Sequence, residues 1–372
     1  MHTLPSIPND STGDVSVTLQ MVADAAKCAV STASRALRND PVISPDVRLR
    51  VRDVAREMNY HPLRKRRSPA VLEKSQAGDL TGKQFAFVTL GIDRTLAMLP
   101  GVNAALNGVE SSLSAEGASL QIVHVPQLGA PPASLRLDEC DGLFLMGALQ
   151  GTGVSENSPW LARALRMRPG VWVLGRPLDC PGHCVGANDL RLGTLAADYL
   201  MDRGHTRLAF LNPKPDHLLM MNRESGFVGQ AFRRGASVAR FAESPPGGWT
   251  LPLKPPHTID SVQPLVDRLL DSTPRPTAIF ASVDSVAAMV YGALQRRGVR
   301  VGQDISLISG NNDRSLLAAL HPALTTFDIQ AHEIGRLAVR HMSSCLARPT
   351  ASQDITLSID PLLVEGASVI QL

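Results

Sequence analysis

The sequence predicts a small all-α head at the N-terminus followed by an α/β core of parallel sheets arranged as two lobes. Three observations carry this. At 372 residues, 44% apolar and 19% charged, the chain exceeds one small domain and has enough apolar residues for full cores. The charge is uneven: between Val15 and Ala70 eleven Lys or Arg stand against five acids, a local excess of +6 in a chain whose total is +3. A cationic block on a mildly acidic remainder points to a polyanionic partner for one end only. Beyond residue 84, short apolar runs alternate with amphipathic stretches, the pattern of buried parallel strands joined by crossover helices. The expected organisation is a head over 15–62, a hinge and linker over 63–83, and a two-lobed core over 84–372.

In the head, Leu19, Val22, Ala23 and Ala26 recur at helical spacing, and a second short helix with Val30, Ala33 and Leu37 on its inner side follows almost at once. Two helices joined that tightly cross steeply, and small residues such as Ala23 and Ala26 permit the close approach, which is the geometry of a helix-turn-helix. The third helix has Ser44 as a cap, Pro45 at the first helical position, Asp46 at the positive end, and Val47, Val51, Val54 and Met58 as its buried stripe; Asn59 closes it. The segment has one aromatic residue, Tyr60, so it offers no stacking platform for unpaired bases, and duplex DNA is the expected partner.

These residues resemble the LacI family of bacterial transcription regulators. The resemblance runs from V-T-L-Q-M-V-A-D-A-A (17–26) through T-A-S-R-A-L (32–37) to V-I-S-P-D-V-R-L-R-V-R-D-V-A-R-E-M-N-Y-H-P (42–62). It implies that Val30, Ser31 and Arg35 meet base edges in the major groove, where a guanidinium can pair with guanine O6 and N7. It also implies that Thr18, Thr32, Ser34, Arg38, Ser44 and Tyr60 position the helix on phosphate and sugar. Local backbone bonding is the competing role for Thr32 and Ser34. Two residues depart from the family pattern. Lys27 replaces the turn Gly, so a non-Gly residue is expected at positive φ, and Ala29 replaces the capping Ser or Thr of the recognition helix. The family's hinge helix drives a Leu wedge into the minor groove, whereas Pro69 stands at that position here. Pro69 itself, Leu72, or phosphate attraction by Arg64, Lys65, Arg66 and Arg67 are the alternatives, and the last is favoured.

In the core, strands are expected at 85–90, 120–125, 142–146, 171–174, 207–211, 278–281 and 305–308, with helices over 102–116, 192–203, 262–270, 286–297 and 329–346. The resemblance implies a periplasmic-binding-protein-like pair of lobes with the effector in the cleft, and ligands of open α/β sheets sit beyond the carboxyl ends of the strands. Matched to the family, Arg223 in R-E-S-G-F is the main effector-binding candidate, because a forked donor suits vicinal hydroxyls or a carboxylate. Trp249, Asp284 and Asn311 complete the effector set; Trp249 also suits simple packing, and Asp284 suits a helix cap. The stretch 91–100 lacks the family's N-P-F-F-like pattern, and the connection from Ala130 to Asp141 is short, so the first lobe departs from it.

Other functions find less support. The longest apolar runs fall well short of the about eighteen residues of a membrane span, and residues 1–13 have neither a cationic start nor an apolar run, so a cytoplasmic protein is expected. Five cysteines make no disulfide framework, and Cys180-Pro-Gly-His-Cys184, whose spacing is not a common zinc spacing, reads as a Pro/Gly loop. G-x-S-x-G, G-x-x-x-x-G-K-[ST] and H-E-x-x-H are all missing, and His205 and His321 read as surface or capping histidines, so neither an enzyme nor a bound cofactor or metal is expected. A sugar-binding receptor without a DNA role shares the core but leaves the cationic head unexplained. The reading is a sequence-specific repressor, a homodimer on an inverted-repeat operator, controlled by a small effector such as a sugar or sugar acid. Two heads related by a two-fold axis read a palindrome, and the lack of a heptad tail after the strand-like 355–364 favours a dimer over a tetramer.

Overall fold

The computed structural model describes residues 19–37, 43–58, 79–150, 153–243, 249–254, 259–348 and 353–372. Thr18, Arg38, Tyr60, Arg64, Lys65, Arg66, Arg67, Pro69 and Leu72 lie outside the described residues. The chain divides into two compact units, one ending at Ser75 and one starting at Gln76, a division that falls inside the expected linker.

The first unit is three helices, α1 (Leu19–Ala25), α2 (Val30–Leu37) and α3 (Pro45–Glu57). Their core is Val22, Ala23, Ala26, Ala33, Ala36, Val51 and Ala55. Five of these seven are alanines, so the helices approach closely but bury little apolar area, and the unit is thinly stabilised. The turn after α1 is a Schellman motif: Cys28 N–H donates to the Ala23 carbonyl at 3.0 Å and Lys27 N–H to that of Asp24 at 3.1 Å. That motif needs a left-handed residue, and Lys27 occupies the position at φ +52°. The Ala29 carbonyl accepts the Ala33 N–H at 2.9 Å to start α2, but its methyl offers no cap; the Ser44 carbonyl accepts the Arg48 N–H at 3.0 Å to start α3.

The second unit begins with β1 (Gln84–Leu90), α4 (Arg94–Ala97), α5 (Pro100–Ala115), β2 (Ser119–Val125), β3 (Gly142–Gly147), α6 (Pro159–Met167), β4 (Gly170–Leu174) and β5 (His183–Ala187). It continues with α7 (Asp189–Met201), β6 (Arg207–Asn212), α8 (Leu218–Arg233), β7 (Ser237–Ala242), α9 (Gln263–Asp271), β8 (Ala278–Ala281), α10 (Asp284–Arg296), β9 (Ser306–Asn311), α11 (Arg314–Leu317) and β10 (Thr325–Asp328). The helix α12 (Ala331–Ala347) and strands β11 (Thr356–Ile359) and β12 (Leu362–Val364) complete it. Two six-stranded sheets result. The first has the order β11-β5-β4-β3-β1-β2 and is wholly parallel; the second, β12-β10-β9-β8-β6-β7, is parallel except for β12. Among the described residues no helix is long and apolar enough to cross a membrane.

Every expected strand is present, and the differences have local causes. The segment 355–364, read as one strand, is two, because β11 joins the first sheet and β12 the second, so the chain crosses between lobes at Asp360-Pro361. The connection from β2 to β3 carries only a 3-10 turn at Leu137–Glu139 where a crossover helix is usual. The Cys180–Cys184 loop ends early: His183 opens β5, and burial pushes the Cys180 and Cys184 thiols up to about 12 and about 11. His205, read as a surface residue, is fully buried, and its ring nitrogens contact Thr277 Oγ1 at 2.9 Å, the Ile370 carbonyl at 3.1 Å and Ser306 Oγ at 2.9 Å. It ties the C-terminal segment to the second sheet, which spacing along the chain could not reveal.

Each lobe has one helix pair in backbone contact. A Cβ at Gly335 on α12 would collide with the Ala105 carbonyl of α5, and a Cβ at Gly193 on α7 with the Arg223 carbonyl of α8. The second contact sets α8, and with it Arg223, against the start of α7. In the first unit, Lys27→Gly should relieve the left-handed strain and stabilise the three helices by about 1 kcal/mol. Hydrogen exchange of the α1 and α2 amides in the full chain should slow several-fold, and unchanged exchange would show that Lys27 carries no strain.

Candidate functional site

The first unit presents α2 outward. Ser31 and Arg35, one turn apart, are exposed, while Ala33 and Ala36 face the core; Thr32 and Ser34 are half-buried. Val30 is half-buried against the helical core, so only part of its side chain is presented. Ser44 is exposed beside the start of α3. An outward helix with an arginine beside small polar residues such as Ser31 can enter a major groove and offer the guanidinium to a base edge.

In the second unit a cavity of about 150 Å³ lies between the lobes. The first lobe contributes Ile92, Leu96, Gly101, Val102, Met146 and Val173, and the second contributes Lys214, His217, Arg223, Ser282, Asn311 and Asp313, with Asp189 at the head of α7. Backbone hydrogen bonds close the cleft: Leu218 N–H donates to the Leu149 carbonyl at 2.9 Å, Asp93 N–H to that of Leu253 at 2.8 Å, and Leu253 N–H to that of Gly91 at 2.9 Å.

Arg223 is 2% exposed and joins three segments. Its Nε donates to Asp189 Oδ1 at 2.7 Å, Nη1 to the Ser282 carbonyl at 2.8 Å and Nη2 to Asn311 Oδ1 at 3.0 Å. Burial pushes the Asp189 carboxyl up, and Arg223 pulls it back. Asn311 and Asn312 both have positive φ, +130° and +58°, at the end of β9. Strain of that kind is kept where surrounding contacts over-determine it, and it clusters at binding sites. Asp313 sits beside them, 4% exposed, accepting from the Asn311 amide at 3.4 Å and from the Gly101 N–H in the first turn of α5. Burial and the neighbouring Asp284 push its carboxyl up to about 6.

The structure brings Arg223 and Asn311 together at the cavity but not the other two sequence candidates. Asp284 is fully buried, and its oxygens accept from Asp313 N–H at 2.8 Å and Thr326 Oγ1 at 2.7 Å, so it braces the loop behind the cavity instead of lining it. Trp249 lies outside the lining and donates its indole N–H to Asp216 Oδ2 at 3.1 Å. Asp189, Lys214, His217 and Asp313 escaped the sequence reading. All four follow the carboxyl ends of strands, and that position was the available signal. Among the described residues one group could hold a metal, His183, His341 and Cys345 with ligand atoms within 4.8 Å, and none of the three lines the cavity.

Residues 18–63 match the profile of bacterial regulatory proteins, lacI family, and 197–369 match a periplasmic binding protein-like domain. The chain thus joins a lacI-family DNA-binding domain to a periplasmic binding protein-like domain. It is 28% identical over 357 residues to the ribose operon repressor of Escherichia coli strain K12, covering 94% of this chain and 99% of that protein. It is 26% identical over 336 residues to the HTH-type transcriptional repressor CytR of the same strain, covering 88% and 89%. Its fold is shared with a CelR–cellobiose complex (TM-score 0.60, 20% identity) and with the lac repressor dimer bound to operator and anti-inducer (TM-score 0.59, 18% identity), each covering 95% of this chain and 99% of the other. It is a DNA-binding transcription regulator controlled by a small-molecule effector, and the relatives named here are repressors, not enzymes. The core match starts inside α7, so β1 to β5 fall outside it.

Two substitutions probe the cleft of this protein. Arg223→Ala leaves Asp189 buried without its partner and should cost about 3–5 kcal/mol in denaturant unfolding; a loss below about 1 kcal/mol would show that the pair is not a structural hub. Asp313 has a folded pKa above its ordinary value, so it opposes folding above about pH 6 and ceases to as it takes up a proton, fully below about pH 4. Asp313→Asn should therefore raise Tm at about pH 8 and lose that advantage at about pH 4. A pH-independent difference would rule out an ionised, buried Asp313.

Proposed function

We propose that the protein is a homodimeric repressor that reads an inverted-repeat operator with α2 and releases it when an effector fills the cleft of the core. The observation that carries the reading is the outward pair Ser31 and Arg35 on α2, opposite the buried Ala33 and Ala36. Val30, Ser31 and Arg35 read bases; Thr18, Thr32, Ser34, Arg38, Ser44, Tyr60 and the run Arg64, Lys65, Arg66 and Arg67 hold the phosphates. The operator-bound dimer of the lac repressor, whose fold this chain shares, supports the dimeric arrangement. The protein acts in the cytoplasm without catalysis, cofactor or metal.

Arg223 and Asn311 form the effector site, joined by Asp189, Lys214, His217 and Asp313. Ribose in the name of the E. coli relative supports a small polyol, and a lysine in the lining supports an acidic group on the ligand. Effector and operator are coupled reciprocally: an inducer that weakens operator binding is itself bound more weakly by the operator complex, by the same factor.

Arg35→Ala should cost about 1–3 kcal/mol on the cognate duplex and leave non-specific binding nearly intact in a gel shift at two salt concentrations. Equal loss on cognate and random duplexes would make Arg35 a phosphate contact, and no shift on any palindromic pool would remove the operator-binding reading.

A further inference from the structure

The groups that the cavity leaves unmatched identify its ligand class, an inference that rests on the cleft being the effector site. Lys214 lines the cavity, and its ammonium has no ion pair or hydrogen bond among the described residues. It is not a loose surface amine. Asn212, fully buried at the end of β6, accepts the Lys214 N–H with Oδ1 and donates to the Lys214 carbonyl with Nδ2, both at 3.0 Å, which fixes the lysine directly beyond the strand. Burial alone acts on the ammonium, lowering it to about 8, and among the described residues no carboxylate stands near enough to support its charge. Two neutral groups of the same lining are also unmatched: His217 Nδ1 and Ser282 Oγ are buried with no hydrogen-bond partner. The charges of Lys214 and Arg223 act on the His217 ring, and with burial they hold it neutral, down at about 3.

The other charges of the lining are accounted for. Asp189 is matched by Arg223 at 2.7 Å, and Asp313 accepts from the Asn311 side chain and the Gly101 amide. Lys214 is therefore the one cation of the lining without a counter-charge among the described residues. An ammonium that lines the cleft without a partner is a ready site for an anion brought by a ligand, which would form a charge-assisted hydrogen bond with it. Most of the rest of the lining is aliphatic, with Ile92, Leu96, Val102, Met146, Val173 and Ile329 among it, and it includes no Phe, Tyr or Trp on which a sugar face could stack. A cavity of about 150 Å³ holds about six or seven non-hydrogen atoms, fewer than the roughly ten of a pentose.

We propose that the cleft binds a short-chain carboxylate, its oxygens on Lys214, His217 and Ser282 and its alkyl body against the aliphatic side chains of the first lobe. The unmatched ammonium selects the anion, and the size and apolar character of the cavity select a short aliphatic acid over a sugar or a bare oxyanion.

Calorimetry and thermal shift on the full-length chain test this, with butyrate and 3-hydroxybutyrate as probes and butanol, ribose and inorganic phosphate as comparators. At least one of the two acids should bind at millimolar concentration and raise Tm, and butanol should not. Lys214→Met should weaken that binding about tenfold or more, while the unliganded Tm stays level or rises because an unpartnered charge has gone. Failure of both acids to bind, equal binding by Lys214→Met, binding of phosphate in their place, or a drop in the unliganded Tm of Lys214→Met would each overturn the assignment. A gel shift on the wild-type protein separates the two readings. Operator release by ribose but by neither acid would leave the cleft as the effector site and overturn the ligand class. Acid binding that never alters operator affinity would keep the ligand class and remove the effector role of the cleft.

Discussion

Asp189 at the start of α7, the Ser282 carbonyl after β8 and Asn311 after β9 lie 34, 59 and 88 residues from Arg223, and one buried guanidinium holds all three. A planar fork with several fixed donors can meet partners in different directions at once, which an ammonium cannot. Because the charge is buried, each contact constrains the others: moving Asp189 strands the arginine, and moving Asn311 disturbs the turn that carries Asp313. The cleft face of the second lobe is thus a set of strand ends tied to one side chain, and that side chain is placed by the glycine contact between α7 and α8.

The two lobes meet over this rigid edge. Backbone hydrogen bonds from Leu218, Asp93 and Leu253 cross the cleft, and Asp313 reaches the first turn of α5, whose free N–H groups favour a carboxylate. Opening the cleft breaks those contacts but leaves the Arg223 hub intact, so the lobes can move as bodies about three chain crossings. Such an arrangement has two discrete packings, which lets a small ligand bias the whole core. The helical unit is built differently. With a core mostly of alanine and a strained Lys27, it holds little stability in reserve, and contacts to a duplex would stabilise it by linkage.

Much of this was legible in the residues. The helices of the first unit follow from spacing, which acts over a few residues, while the left-handed Lys27 and the outward Arg35 were read from the family resemblance. The strands of the core were legible where both faces are buried, since those read as unbroken apolar runs. The edge strand β7 (S-V-A-R-F-A) and the short β10 (T-T-F-D) lack such runs and were missed. At the cleft, Arg223 was singled out by its R-E-S-G-F motif and Asn311, Trp249 and Asp284 by family position; the first two line the cavity and the last two do not. Lys214 and His217, in N-P-K-P-D-H, had no motif to mark them and became visible only when β6 delivered them to the cavity.

By itself the sequence determined the local facts: where helices and strands form, which helix carries an exposed arginine, and that the cationic charge is confined to one end. Only the tertiary structure decided which charges are matched. Asp189 and Arg223 pair because α7 packs on α8, Asp284 turns away because Thr326 and the Asp313 amide claim it, and Lys214 is left without a counter-charge because, among the described residues, no carboxylate reaches it. The reason is physical: helix and strand formation depends on neighbours a few residues away, whereas the cost of a buried charge depends on atoms brought near it from anywhere in the chain.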